Sequence, residues 1–108
     1  MKFLVMTSVK KQIAVPPDAM PSILEAQREW IHGLLADGTI DVIYGFIFGG
    51  GVAIVNADDG DELNTRILQS PAYMTLDWEI RPLAEIDVAL SNAIGMFERV
   101  GGRVPALR

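Results

Sequence analysis

"GFIFGGGVAIVNADDGDEL", Gly45 to Leu63, carries three consecutive glycines and then a cluster of acids, and on its reading the fold turns. A phosphate-cradling loop would hold its glycines between a strand and a helix N-terminus, where free amides and the helix dipole meet the anion. Here a second apolar run, Val52 to Asn56, follows the glycines directly. Before them, Thr39 to Phe48 alternates Ile40, Val42, Tyr44, Phe46 and Phe48 against Asp41, Ile43, Gly45 and Ile47. The stretch is therefore a β-hairpin, with Gly49, Gly50 and Gly51 supplying the positive φ its turn needs. The acids read as a helix start, with Asp58 or Asp59 as N-cap and Asp61 and Glu62 in the first turn. A calcium loop would need alternating ligands and a distal glutamate, and the stretch has neither.

Outward from the hairpin, Lys2 to Val9 reads as a strand, and "QIAVPPDAMP" as a loop whose prolines exclude regular pairing. A helix runs from about Asp18 or Ser22 to Asp37, with Ile23, Leu24, Trp30, Ile31, Leu34 and Leu35 at helical spacing and Gly38 as its cap. A second helix spans about Gly60 to Gln69, with Leu63, Ile67 and Leu68 inward, until Ser70-Pro71 stops it. Met74 to Leu83 is the last strand, setting Met74, Leu76, Trp78 and Ile80 against Thr75, Asp77, Glu79 and Arg81. Ala84 to about Arg99 reads as a third helix with an apolar stripe of Ile86, Leu90, Ala93, Ile94 and Phe97, ended by Gly101-Gly102.

Strand, helix, strand, strand, helix, strand is the ferredoxin-like split arrangement, here α+β with an added C-terminal helix. Its two main helices cover one face of a four-stranded antiparallel sheet and leave the other bare. That bare face is expected to be apolar, because Leu4 and Met6 oppose Phe3 and Val5, and similar pairs recur in the next two strands. Exposed apolar area of that extent marks an interface. The expectation is a two-fold homodimer with sheets face to face, a dimeric α+β barrel, with the third helix as the competing cover.

The 108 residues suit a single domain, residues 1–108, half hydrophobic and 21% charged. A net charge of -5 without a Lys/Arg run argues against nucleic acid or an anionic membrane as partner. The chain has no cysteine, so disulfides, thiolate zinc sites and a cysteine nucleophile are excluded. No apolar run reaches membrane-spanning length and no cleavable leader is evident, so a cytoplasmic protein is the simplest expectation.

"SPAYMTLDWEIRPL", Ser70 to Leu83, resembles the C-terminal segment of muconolactone isomerases, and the resemblance extends weakly back to "MTSV" near the start. The matching positions are Gly38-Thr39, Leu63, Pro71, Asp77, Glu79, Pro82 and Leu83. Similar endings occur in the related YciI-like proteins. The resemblance implies a small pocket between sheet and helices, a homodimer or an assembly of dimers, and cofactor-independent acid–base chemistry on a small lactone or unsaturated acid. Four of the family's polar positions differ. Gln27 stands where a first-helix glutamate is usual, Tyr44-Gly45 near a Trp-Arg pair, Val52 near an asparagine and Asn64 at a histidine.

Proton-shuffling chemistry needs a base near neutrality and a donor to stabilise an enolate. The catalytic candidates are Asp77, Glu79 and Glu29, with Arg28 and Arg81 as anion-binding groups and Tyr44, Tyr73 and Trp78 as pocket walls. Each also has a plainer reading: Glu29 and Arg28 on a solvated helix face, the Asp77–Glu79–Arg81 row polarising an edge strand or pairing across a dimer, the aromatics as core. His32, the only histidine, falls about 200° around the helix from Trp30, on its polar side. No metal site or cofactor is assigned. A non-catalytic small-molecule binding protein or a structural dimer module of the same fold is the competing expectation.

Overall fold

The computed structural model describes residues 1–101; the expected helix stop at Gly102 and the tail lie outside the described residues. Strand β1 (Lys2–Val9) leads through a 3-10 turn into helix α1 (Met20–Ala36). Hairpin strands β2 (Ile40–Gly45) and β3 (Gly51–Asn56) follow, then α2 (Gly60–Leu68), β4 (Leu76–Leu83) and α3 (Ile86–Arg99). The sheet runs β2-β3-β1-β4 with every neighbouring pair antiparallel, the ferredoxin-like α+β order.

Local chemistry sets the boundaries. Asp59 caps α2, its carboxylate accepting from the Glu62 N–H at 2.9 Å, while the Glu62 carboxylate accepts from the Asp58 N–H at 2.9 Å; two otherwise free amides are thus satisfied. Asp37 closes α1 and Gly38 follows at φ +82°. In the hairpin, β2 ends at Gly45 and not at Phe48, because the Phe46 N–H bonds the Gly50 carbonyl and the Gly49 N–H bonds the Phe46 carbonyl. Ile47 and Phe48 consequently stand at the tip, 93% and 99% exposed.

Strict alternation in β2 also fails. A bulge at Asp41 pairs Ile40 with Val55 and Val42 with Ile54, so Ile40 and Ile43 share the helix-facing side. Asp41 itself is tied to Lys2 and Asn56, which joins the ends of β1, β2 and β3. The last strand starts at Leu76, two residues later than expected, since Tyr73–Thr75 forms a 3-10 turn and Met74 is exposed.

The core lies between the sheet and the two main helices: Phe3, Val5, Ala53 and Val55 below, Leu34, Leu63 and Ile67 above. Leu24, Leu35 and Leu68, expected inward, are exposed. The opposite sheet face carries Leu4, Met6, Val52 and Ile54, half-buried by sheet neighbours alone, with Val42 and Tyr44 exposed beside them. Helix α3 does not cover it; no residue of α3 is buried.

Gly50 has φ +76°, and a Cβ there would fall 2.1 Å from the Thr7 carbonyl oxygen, so only glycine fits. Gly50→Ala is expected to destabilise by more than ~1 kcal/mol in urea unfolding. Gly33 sits inside α1 with open space around it, and Gly33→Ala is expected to stabilise by ~0.5–1 kcal/mol in the same assay.

Candidate functional site

Between the helix-facing side of the sheet and helices α1 and α2 lies a cavity of about 640 Å³. It exists because the sheet floor is made of small side chains. Ala53 lies within β3, and Thr7 faces Gly51 at its hairpin end, while α1 and α2 contribute larger groups such as Trp30, Ile31 and Leu63 at the walls. The volume suits a small ligand, and the lining is mostly apolar.

The few polar groups decide its chemistry. Thr7 Oγ1 accepts from the Gly51 N–H at 3.0 Å, Thr75 Oγ1 donates to the Ala72 carbonyl at 2.8 Å, and Trp78 Nε1 donates to the Tyr73 carbonyl at 3.3 Å. Those three serve the scaffold. Gln27 differs: its Oε1 accepts from Ser70 Oγ at 2.8 Å and from the Ala72 N–H at 3.1 Å. Of the two amide atoms only the oxygen can accept from a backbone N–H, so Oε1 is the atom that serves Ser70 and Ala72 and Nε2 keeps its two N–H donors, on a residue that lines the cavity. Arg66 supplies the one formal charge among the described lining residues, held only by a loose, part-exposed pairing with Glu62 at 3.9 Å. Among those residues there is no carboxylate, imidazole or lysine amine.

The candidates named from sequence divide between three places. Trp78 lines the cavity and Tyr73 stacks on it at 6.0 Å between ring centroids, whereas Tyr44, in register with Val52, belongs to the uncovered sheet face and only its strand borders the cavity. Asp77, Glu79 and Arg81 pair in register with Ser8, Met6 and Leu4, which puts them together on the uncovered sheet face, away from the cavity; Arg81 lies 3.4 Å from Glu79. Strand alternation gives the cavity side to Leu76 and Trp78 instead. Glu29 and Arg28 are exposed on α1, Arg28 pairing with Glu25 at 3.3 Å, and His32 is exposed as expected. The candidate acids and Arg28 therefore do not meet the pocket walls within one chain.

Two carboxyls are held below the ordinary carboxylate value, both outside the cavity lining. Hydrogen bonds from Thr39, side chain first and backbone N–H second, lower Asp37, and bonds from Lys2 and then Asn56 lower Asp41. Both act in end structure, a helix C-terminus and a strand bulge. Among the described residues no group of three or more His, Asp or Glu gathers to hold a metal ion.

Gln27 and Arg66 are the cavity residues whose role the sequence reading did not assign. Gln27 lies on the apolar stripe of α1, four residues after Ile23 and four before Ile31, where a polar residue is out of pattern. Arg66 borders the Leu63–Ile67 stripe of α2 in the same way. Both were visible as interruptions of a helical face.

No known protein family matches the chain by sequence pattern, and no curated protein matches it in sequence. Solved structures do match in fold. A crystal structure of muconolactone isomerase superposes with a TM-score of 0.70 at 19% identity, covering 79% of this chain and 90% of that one. The 5-chloro-2-hydroxyhydroquinone dehydrochlorinase of Burkholderia phenoliruptrix, solved with 2,5-dihydroxybenzoquinone, superposes at 0.58 with 13% identity, covering 79% and 95%. The chain thus has a muconolactone isomerase-like fold. No helix among the described residues is long and apolar enough to cross a membrane.

Removing the anchor at Gln27 separates scaffold from site. Gln27→Leu leaves the Ser70 hydroxyl and the Ala72 N–H without their acceptor and is expected to cost ~1–3 kcal/mol in urea unfolding. Gln27→Glu keeps an acceptor for both and is expected to lose less than half as much.

Proposed function

We propose that this protein binds a flat, largely apolar carbonyl compound bearing a carboxylate, a small lactone acid or unsaturated acid, in the cavity between sheet and helices. Arg66 receives the carboxylate, and Gln27 Nε2 donates to the carbonyl oxygen. The observation that carries this reading is an amide whose oxygen is held by the scaffold, together with a guanidinium, among mostly apolar lining residues. Donors in a poorly hydrated site hold and polarise a carbonyl, but they cannot remove a proton. Binding is therefore the first reading. The second is a cofactor-independent isomerase, favoured by the likeness in fold to two enzymes of small unsaturated rings and by the same two donors, which are the enolate-stabilising half of such a site.

The uncovered sheet face supports a homodimer in which a second copy covers Leu4, Met6, Val52 and Ile54. On that reading Asp77, Glu79 and Arg81 pair across the join between copies, on the far side of the sheet from the cavity.

Proton NMR with muconolactone and related butenolides in D2O tests both readings. Saturable line broadening without deuterium uptake beside the carbonyl is expected for a binding protein. Uptake above a heat-denatured control selects the isomerase, and neither effect with any of these compounds refutes the assigned ligand class. Arg66→Met, which keeps an apolar stem, is expected to weaken a carboxylate ligand tenfold or more and its methyl ester less than threefold, measured by titration calorimetry.

A further inference from the structure

We propose that α3 is an exchanged arm that docks its apolar face on a second copy of this chain. Its 14 residues divide around the axis into an apolar and a polar side, with Val88 the exception on the polar side. At about 100° per residue, Ile86, Leu90, Ala93, Ile94, Met96 and Phe97 fall within an arc of roughly 160°, and Asp87, Ser91, Asn92, Glu98 and Arg99 lie opposite. An arc that wide belongs to a helix packed on a surface, not to one standing in water.

No other element among the described residues supplies that surface. Ile86, Leu90, Ile94 and Phe97 are all exposed, and α3 makes no extensive contact with another element. Nor does α3 sustain itself. A helix of this length is marginal alone in water, it has no side-chain N-cap bond, and Gly95 interrupts it.

The surface area says how much cover is needed. The whole chain exposes 7913 Å², against about 5,900 Å² for a compact monomer of 11.8 kDa. Its radius of gyration is 18.5 Å where a compact chain of this length has about 13 Å. The excess is roughly 2,000 Å² per copy, and burying half of it on each of two copies forms an interface of about 2,000 Å², the size of a stable complex.

A second copy is the occupant that fits. It brings the same uncovered sheet face and the same helix, so one two-fold operation covers both. An anionic membrane is disfavoured, because the polar side of α3 carries Asp87 and Glu98 against a single Arg99.

The test mixes isotope-labelled and unlabelled full-length chain and records isotope-filtered NOEs from the methyls of Ile86, Leu90 and Ile94. NOEs between copies are expected. Sedimentation of two variants accompanies it: Leu90→Asp, on the apolar arc, is expected to weaken self-association at least tenfold, and Ser91→Asp, on the polar side, less than twofold. Because no residue of α3 is buried and its apolar side chains are exposed, both variants are expected to leave the body of the fold in place. NOEs confined to one chain would mean that α3 folds back, and no NOEs would mean that it stays free; either overturns the proposal, as would equal effects of the two variants.

Discussion

The rest of the structure depends on the pairing of β1 with two strands that are not its neighbours in sequence. Held between β3 and β4, β1 sends Phe3, Val5 and Thr7 to one side and Leu4 and Met6 to the other, and the partner strands copy that division residue by residue. Both main helices arise from crossovers on the same side, so only the first set is covered. Core, cavity and bare face are three consequences of that one register.

The cavity follows from side-chain size along the register. Phe3 and Val55 fill the space at one end of the sheet, and Val5 opposite Ala53 fills less of it. Thr7 opposite Gly51 fills least, at the hairpin end where Gly50 must also approach the Thr7 carbonyl. The glycines that first suggested an anion loop act here through their lack of a side chain, by letting strands close together and leaving room beneath the helices.

Period and caps made most of the fold legible in the sequence. β1 was readable to both ends, and Asp59 and Gly38 marked helix limits as their chemistry requires. The bulge at Asp41 was not readable, because it exchanges local alternation for a tie to Lys2 and Asn56, one of them 39 positions away. The site was less legible. An acid–base scan selects ionisable residues, and in this chain the row at Asp77, Glu79 and Arg81 belongs to the bare face, while the cavity carries an amide whose role depends on which of its atoms Ser70 and Ala72 engage. Composition says nothing about that choice; only the folded turn around residue 72 does.

The same turn bears on the difference between Gln27 and a carboxylate at that place. A glutamate accepting those two hydrogen bonds through one oxygen would keep a second oxygen as a proton acceptor. With glutamine the scaffold bonds persist and the second atom is a donor. One change of atom thus leaves the packing of α1 against the Ser70–Ala72 segment intact and reverses the polarity presented to a ligand. A site so altered attracts carbonyl and carboxylate oxygens, with Arg66 acting in the same sense, and gives up proton abstraction from this position. The fold therefore constrains the shape of the ligand through its small-residue floor, while the chemistry open to that ligand is set by a few side chains on α1 and α2 that the fold itself does not require.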